Sequence, residues 1–190
     1  MAYIPLESNP DVFTGLAHRL GLSPQLAFHD VLSLDEPELL ALVPRPVRAL
    51  VLAFPAPEDN YERRMRDQEN DGRPVYDRAG DDEDVVWFRQ TIYNACGLYA
   101  LLHALANGAC DHIGSADAKV DHHYICFAKS PKDGHIYELD GDLKGPVSWA
   151  DLGTEDDLLG EAALAVVREF IRKGPGDGGS FSLLALAPST

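Results

Sequence analysis

The chain has 190 residues, 45% of them hydrophobic, with a formal net charge of −15. That length suits one domain with a sizeable core and is short for two, and the charge argues against nucleic acid, whose phosphates are bound by Lys and Arg. No run of about 18 apolar residues occurs, so no membrane span or membrane partner is expected. Residues 1–5 show no basic stretch leading into an apolar run, so no secretion signal is expected either.

Asn9 before Pro10 is a capping residue followed by proline at the first helical position, and residues 10–21 continue with Val12, Leu16 and Leu20 on one face and Gly21 as the stop. Residues 36–42 read as a short second helix, stopped by Pro44 and Pro46. Residues 47–54 are nearly continuously apolar over a strand's length, which predicts a strand buried on both faces. From 58 to 84 charge dominates, with Asp71-Gly72 and Gly80-Asp81 as turn signals, which predicts a charged surface helix and then a loop. A helix follows from about Ala95 to Ala106. Residues 122–129 and 135–139 read as strands joined by a turn at 130–134. Residues 157–173 form a strong amphipathic helix ended by Gly174-Pro175-Gly176, and alternating residues 181–187 close the chain as a strand. Strands and helices without regular alternation predict an α+β class and a single domain over 1–190.

Four polar residues in this frame invite a common explanation. Cys96 precedes the one-sided helical run Leu98, Leu101, Leu102 and Leu105, so its sulfur falls at a helix N-terminus, where unpaired N–H groups and the dipole favour a thiolate. His123 lies on a strand that could bring an imidazole to it as base. Asp140 ends the next strand, where a hairpin would set it beside His123 to orient the ring. Gln90, six positions before Cys96, could donate its amide to a developing oxyanion. Taken singly, each has an ordinary structural explanation: a small core thiol, a structural histidine, a turn-forming aspartate before Gly141. His103 reads as a satisfied core or surface histidine. The three cysteines, Cys96, Cys110 and Cys126, imply no disulfide framework, which points to a reducing, cytoplasmic location. A metal cluster of Cys110, His112, His122, His123 and Cys126 is disfavoured, because Cys110 and His112 are spaced too tightly and adjacent strand histidines diverge. No metal and no cofactor is expected.

Residues 90–97, Gln-Thr-Ile-Tyr-Asn-Ala-Cys-Gly, with the helix that follows, resemble the active-site segment of ubiquitin carboxyl-terminal hydrolases of the UCH type, peptidase family C12. The resemblance continues at residues 5–10, at 40–54, at His123-Tyr124, at residues 134–141 (Gly-His-Ile-Tyr-Glu-Leu-Asp-Gly) and through Phe181-Ser182. It implies a papain-like α+β architecture with a mostly antiparallel central sheet flanked by helices. Cys96 would be the nucleophile, His123 the general base and later acid, Asp140 its orienting partner and Gln90 the oxyanion donor. Asn94 would shape the cleft, and Pro5, Leu6, Glu7 and Phe181 would contribute to substrate binding. His122 takes no catalytic role. The implied reaction is thiol-dependent hydrolysis of ester, thioester, amide or peptide adducts at the C-terminal glycine of ubiquitin, or of the related modifier Nedd8, by a monomer. A basic, glycine-ending tail suits an acidic enzyme; otherwise the acidic runs at 81–84 and 155–157 read as solvating surface.

One departure from the family is large. Only residues 108–120 lie between Asn107 and Asp121, where relatives have helices and a loop that crosses the active site. With the flanking motifs in phase, this reads as loss of a whole internal segment. Leu101 and Leu105 would then be exposed or forced to repack, and the chain could instead be a ubiquitin-binding module with little or no catalysis.

Overall fold

The computed structural model describes residues 6–55, 65–67, 72, 74–78, 83–92, 94–109, 123–153, 157–173 and 181–189. Helix α1 (Pro10–Arg19) begins where the sequence signals it: the Asn9 side chain accepts from the N–H groups of Asp11 and Val12. Its core face is Phe13, Ala17 and Leu20 with Leu16 packed beside them, while Val12 is exposed, so Leu16 and Leu20 lie where expected and Val12 does not. Phe13 decides this, because its ring packs edge-on to Phe28 and stacks on Tyr124. After α1 come β1 (Leu26–Asp30), the short α2 (Pro37–Leu40) and β2 (Ala49–Phe54). Then follow α3 (Cys96–Gly108), β3 (His123–Lys129), β4 (His135–Leu139), β5 (Val147–Asp151), α4 (Glu161–Lys173) and β6 (Ser182–Pro188). Of the charged stretch 58–84, where a surface helix is expected, only 65–67, which are helical, 72, 74–78 and 83–84 are described; His122 lies outside the described residues.

The strands form one sheet in the order β1-β6-β2-β3-β4-β5, with every neighbouring pair antiparallel. Side-chain alternation divides the core in two. Ala49, Val51 and Ala53 of β2, with Tyr124, Cys126 and Ala128 of β3, face α1 and α3. Leu50, Leu52 and Phe54, with Ile125 and Phe127, face α4. All six residues of β2 are buried, as a strand covered on both faces requires.

Helix α3 lies against β2 and β3, its Gly108 so close that an added Cβ would stand 3.1 Å from the Arg48 carbonyl oxygen. Leu101 and Leu105 are fully buried, packed in one cluster with Phe13, Ala17 and Tyr124. Of the two outcomes expected for these side chains, exposure does not occur: the sheet and α1 cover them. Helix α4 starts later than its periodicity suggested. Asp157 is spent on a turn, its Oδ1 accepting from the N–H groups of Val47 and Leu159. Among the described residues no helix is long and apolar enough to cross a membrane.

Candidate active site

The polar residues converge at one end of the sheet. Asn94 adopts a left-handed backbone conformation (φ 58°), which asparagine tolerates better than most residues. That turn delivers Cys96 as the first residue of α3, buried and with its own N–H at the helix start. His123 opens β3, paired in register with Phe54, whose ring meets the imidazole edge-on at 5.6 Å. Asp140 follows the last residue of β4. Its Oδ2 lies 2.9 Å from His123 Nε2, and both side chains are almost completely buried. The Cys96 thiol is within hydrogen-bonding reach of the same ring. Because Nε2 donates to Asp140, Nδ1 is the nitrogen left to take a thiol proton. Burial alone would suppress the imidazolium, but the Asp140 carboxylate and the Cys96 sulfur outweigh it and push His123 up to about 10.

Asp140 is also the hub of the turn that follows. Its Oδ1 accepts from the Asp142 N–H at 2.9 Å, and its carbonyl accepts from the Trp87 indole at 3.0 Å. Gln90 is tied to the same turn: its N–H donates to the Gly141 carbonyl at 2.7 Å. The approach is so close that a Cβ on Gly141 would stand 2.9 Å from the Gln90 Cβ. Gln90 Oε1 is buried and has no hydrogen-bond partner among the described residues.

Segment 85–90 is strapped to α3 by His103, expected as a satisfied core or surface histidine, and by Asn107, which the sequence does not single out. The Asn107 amide bonds both the N–H and the carbonyl of Val86, at 2.9 and 2.8 Å. His103 Nε2 accepts from the Phe88 N–H at 2.9 Å, and the two rings stack. Burial holds His103 down to about 4, so it is a neutral core histidine whose Nδ1 carries the proton. No sequence signal marks Trp87 or Asn107, since their partners are backbone groups distant along the chain.

Leu6 is buried in the core, and Tyr124, next to His123, donates its O–H to the Leu6 carbonyl at 2.8 Å. Ser8 donates to Ser182 at 2.8 Å, joining the N-terminal segment, with exposed Glu7, to the start of β6 beside exposed Phe181. Pro5 lies outside the described residues, as do Cys110 and His112. Cys126 is fully buried on the face of β3 opposite to His123, its thiol pushed up by burial, so these two do not share a ligand set. Single ligand atoms of His123, Asp140 and Asp142 fall within 4.8 Å of one another. The carboxylates, however, address different nitrogens of one ring. That is the layout of a hydrogen-bonded imidazole, whereas metal ligands converge on one point about 2 Å from each. A separate cleft of about 300 Å³ lies between Tyr76, Arg78, Asp84, Tyr137 and Lys144, and none of Gln90, Cys96, His123 or Asp140 lines it.

A cysteine at the head of a buried helix, packed against an antiparallel sheet that carries a His–Asp pair, is the papain-like layout. The same fold is found in the UCH37 catalytic domain of Trichinella spiralis, solved bound to ubiquitin vinyl methyl ester: TM-score 0.71 at 21% identity, covering 100% of this chain and 97% of that one. In sequence, the profile of ubiquitin carboxyl-terminal hydrolase family 1 matches residues 3–117 and 109–172. The chain belongs to this family. It is 33% identical to human ubiquitin carboxyl-terminal hydrolase isozyme L1, with 96% of each chain covered. It is 48% identical to YUH1 of Saccharomyces cerevisiae over 106 residues, which cover 56% of this chain and 40% of that protein. Against the Drosophila melanogaster enzyme, 30% identical, the alignment runs over 230 positions, so at least 40 of them have no counterpart in these 190 residues.

Proposed function

We propose that this chain is a thiol-dependent deubiquitinase, a single catalytic domain shortened internally near residues 108–120, that hydrolyses adducts at the C-terminal glycine of ubiquitin. The observation that carries this reading is the buried His123–Asp140 pair with the Cys96 thiol on the same ring. Cys96 Sγ attacks the glycine carbonyl carbon with the proton of the Cys96–His123 pair held on His123 Nδ1. The oxyanion is held by the Cys96 N–H and the Gln90 side-chain amide. Amide oxygen and nitrogen are interchangeable by a half-turn of the group, so the site of the unpartnered Oε1 can equally present an N–H donor, and the acceptor it awaits is the oxyanion. The C–N, C–O or C–S bond then breaks, and the leaving group takes the proton from His123. Water, deprotonated by His123, attacks the resulting thioester and releases the Cys96 sulfur and the free glycine carboxylate.

Glu7 and Phe181, on adjoining exposed segments, are the candidates for contacting the body of ubiquitin, and Asn94 shapes the cleft through its backbone. Leu6 serves this surface from beneath, as packing. Nedd8 is the second substrate to test, since it ends in the same kind of tail. A ubiquitin carrying a thiol-reactive group at its C-terminus tests the reading: it should add covalently to Cys96, as located by peptide mass mapping, and Cys96→Ala should abolish the adduct. Tight binding of that probe with no adduct at Cys96 would instead identify a non-catalytic ubiquitin-binding module.

A further inference from the structure

His123 has a carboxylate on each ring nitrogen. Asp140 bonds Nε2, and Asp142 Oδ2 lies 3.8 Å from Nδ1, with its side chain only 13% exposed. That distance is too long for a hydrogen bond and short enough for a strong charge interaction in a half-buried site. Asp142 is held there by Asp140 itself, whose Oδ1 accepts its N–H while Oδ2 accepts from the ring. One carboxylate therefore fixes both the imidazole and its second negative neighbour.

We propose that Asp142 is a positioning residue of this site, one that sets the pH window in which the Cys96–His123 pair works. The inference rests on the assignment of Cys96 and His123 as nucleophile and base. Among the described residues, the charged and titratable groups facing the ring are Cys96 from α3 and Asp140 and Asp142 from the turn after β4; β2 presents the Phe54 ring. A negative charge at Nδ1 favours the proton on every group around it. It opposes the first deprotonation of the pair, which creates the thiolate beside the imidazolium, and it opposes the second, which removes the imidazolium proton. Both belong to the coupled pair and appear as the acid and alkaline limbs of a bell-shaped profile. Asp142 moves both limbs to higher pH, keeping a proton available for the leaving group in mildly alkaline conditions.

The test is the pH dependence of two rates in the full chain. One is kcat/KM on a ubiquitin C-terminal ester. The other is alkylation of Cys96 by iodoacetamide, followed by peptide mapping, which needs no turnover. In Asp142→Asn both limbs of kcat/KM and the acid limb of alkylation should move toward acid by about one pH unit, and Asp142→Glu should restore them. Asp142→Ser repeats the measurement should the asparagine variant fold poorly. A loss of rate with unmoved limbs means a merely structural role and overturns the inference. Turnover with neither profile shifted overturns it while leaving the hydrolase assignment standing. An alkylation profile that shifts in a chain with no turnover supports the role of Asp142 and overturns the assignment as a deubiquitinase.

Discussion

Gly141→Ala is the sharpest test of how the proposed oxyanion donor is held. The added methyl would stand 2.9 Å from Gln90 Cβ, closer than real Cβ contacts, and 3.0 Å from Gln90 N and 3.1 Å from the Phe88 carbonyl oxygen, tighter than nearly all of them. Two of those atoms are backbone, so a side-chain rotation cannot relieve the clash. Segment 88–90 must move off the turn, which breaks or lengthens the 2.7 Å bond from the Gln90 N–H to the Gly141 carbonyl. Overpacking of this kind costs about 1–3 kcal/mol of stability. The kinetic cost is larger in kind: an oxyanion donor moved out of place is worth about 2.7–4 kcal/mol, or about 10²–10³ in kcat. Steady-state hydrolysis of a ubiquitin C-terminal ester, beside a thermal melt, would read both. Gly141→Ala should lose kcat with little change in KM. Added to Gln90→Ala, it should cost almost nothing more, since both changes remove one interaction. A Gly141→Ala enzyme that stays folded with wild-type kcat, or a fully additive double variant, would refute this account of Gln90.

Further outcomes follow from the same structure. At Asn94 (φ 58°), glycine should be tolerated while Asn94→Val should cost about 1–2 kcal/mol in denaturant melts and slow Cys96 alkylation, because the turn aims the head of α3. Leu101→Ala, at a fully buried position, should lose about 2–5 kcal/mol in the same melts. His103 is held neutral, down at about 4, so its contribution to stability is present above pH about 6.5 and is lost as pH falls through about 4. His103→Gln, which keeps an acceptor for the Phe88 N–H, should flatten that part of the acid decline in urea melts. His123 has the opposite sign: raised to about 10, it contributes fully below pH about 6.5 and loses that contribution as pH climbs through about 10, so wild type and His123→Gln should converge in stability on the alkaline side.

Where burial writes itself into composition, the fold was readable. Strand β2 is covered on both faces and is accordingly a run of apolar residues; β3, β4 and β6 are similarly plain. The capping Asn9 and proline located the start of α1, and Leu16 and Leu20 of the expected face do meet the core, but the large Phe13 ring takes the place expected of Val12. Strands β1 and β5 escaped notice because they are edges: Phe28 is the one fully buried residue of β1, and β5 has none. In the site, Cys96, His123 and Asp140 stood out because their chemistry depends on residue type in a specific motif. The straps did not. His103, Asn107 and Trp87 act through backbone groups 15, 21 and 53 positions away, a pairing that only the folded chain displays. Asp142, two residues beyond Asp140, reads in sequence as ordinary turn polarity and becomes notable only when its distance to His123 is known.

The most direct measurement of the central claim is turnover of a ubiquitin C-terminal amide by the full chain, compared with Cys96→Ser, while ubiquitin binding is measured in parallel. The account predicts hydrolysis by the wild-type chain, none by Cys96→Ser, and retained binding in both. Equal turnover by the two proteins, or wild-type binding without any hydrolysis, would contradict it.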